Sequence, residues 1–164
     1  MLPTRRSENA GWPVSYEPVD VCVELNVRVT RLPLVDTQAA WLPQHRTIAL
    51  DAGLSPIEER CALAHQVEHV LAGHTIGCGI GTYAERPLVR ASFSQGTLRQ
   101  ERHAEHAAAR RLVDADALGA IFPWTDLSAA AAELKVTEPI LRTRIAGLNG
   151  KEWQWLQAKS KIAG

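Results

Sequence analysis

The 164-residue sequence predicts an α+β fold, in which a small N-terminal β-sheet packs on a mainly helical body. Two segments, near residues 20–30 and 46–51, have the composition of strands. From Ser55 onward the chain is dominated by stretches rich in alanine and leucine with helical spacing. Because the strands come first and the helices follow, we expect sheet and helices to segregate within the fold.

Composition divides the chain into three parts. Residues 1–18 contain three prolines, a glycine and mixed charge, which predict an irregular N-terminal arm. Residues 19–122 are expected to form the principal domain, and residues 123–164 a C-terminal helical extension packed on the same domain. A chain of this length can bury one hydrophobic core.

Two strands are predicted before the helical body. Apolar and polar residues alternate through residues 19–30 in a run rich in β-branched side chains, which predicts a half-buried strand. The apolar positions are Val21, Val23, Leu25, Val27 and Val29. A second strand is predicted over residues 46–51, ending at Ala52-Gly53.

The next element is a long helix with a clear start and end. Ser55 precedes Pro56, and Glu58 stands three places after the serine, which is the pattern of a capping box with proline at the first helical position. The helix is therefore expected to begin near Pro56. It should run to about Ala72-Gly73, where the glycine can end it.

This helix contains the pentad His65-Gln66-Val67-Glu68-His69. Two histidines four places apart lie on one helix face, a single turn from each other, so both imidazoles can bind one metal ion. Zinc is the metal for which this spacing is typical. The alternative is a pair of histidines at the edge of the core with ordinary hydrogen-bond partners.

The position of a general base in this pentad is unusual. Zinc hydrolases usually carry a glutamate directly after the first histidine, and it takes a proton from water. Here that place holds Gln66, whose amide cannot accept the proton, and the carboxylate is Glu68, in the order found in inverted zincins. Gln66 and Glu68 lie about 80° to either side of the histidine face. Glu68 is therefore the candidate catalytic base, on the opposite flank.

Residues 75–97 contain four glycines and one proline, which predict a loop region bordering a cleft, with a short strand near residues 88–93. His74 follows His69 by five places, whereas an extended metal motif would place a third histidine six places on. We therefore interpret His74 as a solvent-facing residue at the helix end.

A second alanine-rich helix is predicted over residues 97–113. Its Glu101, Glu105, Ala108 and Leu112 share one face, where small residues favour close packing against another helix. A carboxylate on a buried face needs a partner such as a metal ion. The alternative is a solvated helix with charge pairs along its surface.

Further helices are predicted over residues 114–121 and 126–134, from Thr137 to Leu148, and after Asn149-Gly150. The two around residues 135–137 resemble a helix-turn-helix, with Arg142 and Arg144 on the second, so DNA binding is an alternative. Eighteen basic and eighteen acidic residues give no net charge, which argues against a duplex-DNA binder.

Membrane segments and disulfides are not indicated. The chain has no apolar run long enough to span a membrane, and its first residues lack the apolar segment of a signal peptide, so we expect a cytoplasmic protein. The three cysteines, Cys22, Cys61 and Cys78, are an odd number without close pairs. Neither a disulfide framework nor a thiolate zinc cluster is expected.

Three stretches together resemble the ImmA/IrrE family of zinc metallopeptidases, compact regulators of bacteria and their phages. They are residues 59–69 with the pentad, residues 101–112 of the second helix, and residues 132–148 of the tail. The resemblance implies a zincin-like body over residues 19–122. It also implies that Zn²⁺ is held by His65, His69 and Glu101. Glu105, one turn further along the second helix, is the reserve ligand if that helix is rotated in its packing.

The resemblance further implies that the substrate is a regulatory protein of the repressor type, cleaved by metal-activated water. The sequence departs from the family at Gln66, where the family has its general-base glutamate. The resemblance therefore supports metal binding by this chain more strongly than it supports catalysis. Two functions stay open: a peptidase with Glu68 as base, and a catalytically impaired zinc-binding regulator that acts by protein–protein interaction. DNA binding through the tail is the third.

Overall fold

The computed structural model describes residues 16–74 and 95–162, and the α+β prediction is confirmed. The helices of this part are α1 (Pro18–Glu24), α2 (Pro56–Leu71), α3 (Gln95–Leu112), α4 (Ala115–Ala120), α5 (Leu127–Glu133), α6 (Glu138–Ala146) and α7 (Gly150–Ile162). The strands are β1 (Arg28–Leu32), β2 (Ala39–Leu42) and β3 (Thr47–Asp51). The loop and short strand predicted between residues 75 and 94 lie outside the described residues.

The three strands form one small sheet with β3 in the centre. Strand β1 pairs with β3 in parallel, and β2 pairs with β3 antiparallel. Residues Ile48, Ala49 and Leu50 of β3 are buried, and Ile48 and Leu50 pack in one cluster with Leu63 and Val67 of α2. The strand predicted over residues 46–51 is therefore confirmed.

The strand predicted near residues 20–30 is wrong over its first half. Residues Pro18–Glu24 form helix α1, and the strand begins only at Arg28. Pro18 occupies the first turn of the helix, where its fixed φ is favourable. Cys22, one turn later, is buried, whereas Val23 is exposed, so burial follows the helical period and overrides the β-branched composition.

The segment Ala39–Leu42 has no clear strand pattern, yet it forms β2. Trp41 is buried in this strand, and Ala39 beside it is also buried. The sheet is held to α2 by a cluster of buried side chains from both elements. Its members include Trp41, Ile48, Leu50, Leu63 and Val67.

Helix α2 runs through the centre of the body. The predicted capping box is present, because the Glu58 backbone N–H donates to the Ser55 hydroxyl and the Ser55 N–H donates to the Glu58 carboxylate. On the side away from the sheet, Cys61 and Ala64 pack into a second cluster with α3 and the C-terminal helices. Every residue from 61 to 69 is buried, so the polar side chains of the pentad lie in the interior.

Candidate metal centre

The two pentad histidines point their imidazoles at the same place. His65 and His69 lie one helical turn apart on α2, with 3% and 1% of their surface exposed. Their Nε2 atoms are 3.0 Å apart. Burial lowers the pKa of His69, which favours the neutral imidazole that a metal ion binds.

Helix α3 brings a carboxylate to these two nitrogens. Oε2 of Glu101 lies 3.3 Å from Nε2 of His65, and its Oε1 lies 3.6 Å from Nε2 of His69. Glu101 can approach because Ala104 and Ala108, the next residues on this side of α3, are completely buried and keep the helix close to its neighbours. Three buried ligand-type atoms therefore converge from two helices.

The donor set has the chemistry and spacing of a zinc site. Zn–N and Zn–O bonds of about 2.0–2.1 Å in a tetrahedron place neighbouring ligand atoms about 3.3 Å apart. The distances of 3.0, 3.3 and 3.6 Å between the three residues bracket this value. Within the described ranges these residues are the cluster of histidine and carboxylate groups that could hold a metal ion.

Glu105, the reserve ligand, lies elsewhere. It is one turn beyond Glu101 on α3 and is also buried. The hydroxyl of Thr143 on α6 donates a hydrogen bond to Oε1 of Glu105 at 2.9 Å. This carboxylate therefore joins α3 to the C-terminal helices and is not part of the three-residue cluster.

Glu68, the candidate base, faces a cation from α3. Its Oε1 lies 2.6 Å from Nε of Arg111, and the carboxylate is buried while the arginine is half exposed. Burial raises the pKa of Glu68, and the positive charge of Arg111 opposes this shift. Gln66, on the other flank, is 1% exposed. Neither residue belongs to the cluster of His65, His69 and Glu101.

The interpretation of His74 as solvent-facing is wrong. The residue is half-buried, and its Nδ1 lies 2.8 Å from Nδ1 of His69. Its carbonyl oxygen accepts a hydrogen bond from the Trp41 indole at 3.1 Å. The signal in the sequence was the glycine at position 73, which allows the chain to fold back over the helix end.

The two arginines behind the DNA-binding alternative are both paired. Arg144 is buried, and it donates to the carbonyl of Val113 and to the carboxylate of Glu152. Arg142 pairs with Glu138 one turn earlier on α6. The helix pair α5 and α6 thus uses Arg144 for packing.

A family model described as the IrrE N-terminal-like domain, a peptidase family, matches residues 22–146. This match covers well over half of the chain. The chain belongs to the IrrE N-terminal-like family. The matched IrrE N-terminal-like region includes β1, β2, β3, α2, α3 and the helices from α4 to α6.

Two other comparisons add no relatives to the IrrE N-terminal-like assignment. No curated protein and no solved structure matches the chain. In the described ranges, none of the helices combines the length and apolar character needed to cross a membrane. Family membership and the His65, His69 and Glu101 cluster together characterise a metallopeptidase-like protein with a site that could bind a metal ion.

Proposed function

We propose that this protein binds Zn²⁺ through His65, His69 and Glu101 and acts on a regulatory protein of the repressor type, with peptide hydrolysis weakened by the amide at position 66. The observation that carries the proposal is the convergence of two imidazole nitrogens and one carboxylate at tetrahedral spacing in a buried site. Three protein ligands are the number used by catalytic zinc sites, which leave one position open.

A bound zinc ion supplies a Lewis acid that polarises a carbonyl group and lowers the pKa of water. The residues of this chain then have two tasks, which are to hold the ion and to accept a proton. Glu101 contributes the one negative charge among the three ligands. Its burial with the two imidazoles excludes bulk water from that side of the site.

Within residues 65–69, which the structure describes in full, there is no unengaged general base that could accept a proton from water during hydrolysis. Gln66 stands where the family's base would be, and an amide is not a base at neutral pH. Glu68 is already engaged by Arg111, so its use as a base requires this ion pair to open. These two facts favour a zinc-binding regulator that acts mainly by binding its partner protein.

A second function, peptide hydrolysis with Glu68 as base, has one observation in its favour. Glu68 directly precedes the candidate ligand His69 in the chain, its carboxylate is buried, and burial raises its pKa. A raised carboxyl pKa is typical of general bases. Hydrolysis by this route would proceed from the flank opposite to Gln66.

Metal analysis tests the proposed site. We expect the full chain, purified without chelator, to contain zinc in a ratio to protein near unity, and His65→Ala to lose it. The matched control is His45→Ala, which removes an exposed imidazole on the turn between β2 and β3. Equal zinc content in wild type and His65→Ala would show that the site is assigned wrongly.

A further inference from the structure

Helix α2 ends in a turn that folds His74 back against its last residues. Gly73 has φ of +67°, in the left-handed region that glycine adopts readily. The backbone N–H of Gly73 donates to the Val70 carbonyl at 3.1 Å, and that of His74 donates to the His69 carbonyl at 3.0 Å. This pair of bonds is the Schellman motif. Residues 69 and 74 are therefore neighbours because of the way the helix ends.

The side chains of these two residues also meet. Nδ1 of His74 lies 2.8 Å from Nδ1 of His69, and the two ring centroids are 5.0 Å apart with the planes tilted by 57°. The indole of Trp41, on β2, donates to the His74 carbonyl oxygen. His74 is thus held by the helix end on one side and by the sheet on the other.

The direction of this hydrogen bond follows from the neighbouring cluster. Two imidazole nitrogens at this distance are bonded only when one carries a proton and the other a lone pair. Nε2 of His69 faces His65 and Glu101, so a metal ion there requires its lone pair. The proton of neutral His69 is then on Nδ1, and His74 accepts it with its own proton on Nε2.

We propose that His74 is a positioning residue for the metal centre: it accepts the Nδ1–H of His69, and so fixes the tautomer and ring orientation in which Nε2 of His69 binds the ion. This inference rests on the proposed zinc site. Partners of this kind are a general feature of metal-binding histidines, and their loss typically weakens metal affinity by about 10- to 100-fold.

The test is a competition titration of the full chain with a chromophoric zinc chelator. We expect His74→Ala to bind zinc about 10- to 100-fold more weakly than wild type. His74→Asn should restore most of the affinity, because the side-chain oxygen of asparagine can occupy the place of Nδ1 and accept the same proton. His45→Ala is the control and should bind zinc like wild type.

A second measurement separates positioning from simple damage to the fold. In nitrogen-edited NMR spectra of the zinc-loaded chain, we expect the His69 Nδ1–H signal to be protected in wild type and in His74→Asn. It should be lost to exchange in His74→Ala, while the melting temperature of metal-free His74→Ala stays close to that of the metal-free wild type.

The outcomes distinguish this inference from the proposal beneath it. Failure of wild type to bind zinc would overturn the zinc site itself. Tight zinc binding by both wild type and His74→Ala would leave the site standing and refute the role of His74. Weakened binding by His74→Asn equal to that of His74→Ala would refute hydrogen-bond acceptance as the cause.

Discussion

The Glu68 carboxylate and the Arg111 guanidinium form an ion pair across α2 and α3, with Oε1 and Nε 2.6 Å apart. Glu68 is the only carboxylate in the pentad of residues 65–69. Opening the ion pair would leave a buried charge without its partner, which costs free energy. The pair therefore stabilises the contact between the two helices that carry the candidate zinc ligands, and it restricts Glu68 as a proton acceptor.

Restoring the missing carboxylate should create or raise hydrolytic activity. We expect Gln66→Glu to hydrolyse a pool of quenched fluorogenic peptides about 100- to 10,000-fold faster than wild type, because a general base typically contributes that much. Zinc content should not change. The matched control is Gln44→Glu, which adds the same charge at an exposed position on the turn before β3.

The opposite result would identify Glu68 as the base. In that case wild type would be active and Gln66→Glu no faster, while Glu68→Gln would abolish hydrolysis with zinc still bound. Arg111→Met is informative here, since removing the cation frees the carboxylate. If Glu68 is the base, Arg111→Met should change the rate of hydrolysis. If the protein is a zinc-binding regulator with weakened hydrolysis, Arg111→Met should leave the rate as low as in wild type.

The choice between the two buried carboxylates of α3 can be tested by metal affinity. Glu101→Gln should weaken zinc binding by more than about 100-fold, because losing a ligand exceeds the effect of losing a ligand's hydrogen-bond partner. Glu105→Gln should keep its affinity, since an amide oxygen can still accept the Thr143 hydroxyl proton. The reverse order of the two affinities would place Glu105 at the metal.

The C-terminal helix should make stability depend on pH through Glu152. The pKa of the Glu152 carboxyl is held below its ordinary value of 4.5, mainly by the hydrogen bond from the Asn149 backbone N–H and also by the hydrogen bond from the Arg144 guanidinium. A carboxyl with a depressed folded-state pKa stabilises the fold above the pKa of the unfolded chain. That contribution is lost as the pH falls through the folded-state value.

Urea unfolding of wild type and Glu152→Gln at a series of pH values measures this effect. The difference in unfolding free energy between the two should be constant from pH 7 down to about pH 5 and should shrink at lower pH. Because both proteins contain the same other carboxyl groups, the pH dependence that those groups contribute cancels in the difference between the two unfolding free energies. A gap that stays constant below pH 4, or widens, would contradict the assigned direction of the Glu152 shift.

Local patterns in the sequence predicted much of the helical body. The capping box at Ser55 and Glu58, and the glycine stop at position 73, lie where expected. Such features depend on hydrogen bonds between residues a few places apart, so they can be read without knowing the fold. The strand error at Pro18–Glu24 arose because the apolar residues alternate along this segment as in a strand, whereas the helix buries Pro18 and Cys22 and leaves Val23 exposed.

The sequence by itself determined that His65 and His69 share a helix face, because four-residue spacing on a helix leaves no other arrangement. Only the tertiary structure decided which glutamate of α3 joins them. Glu101 and Glu105 lie on the same face of α3, one turn apart. The packing of the buried Ala104 and Ala108 determines how α3 is positioned along α2, and this position places Glu101 beside the histidines. The ion pair of Glu68 also depends on the tertiary structure, because its partner Arg111 comes from a helix that begins more than twenty residues later. Spacing fixes contacts within one helix, whereas contacts between helices depend on how their side chains interlock.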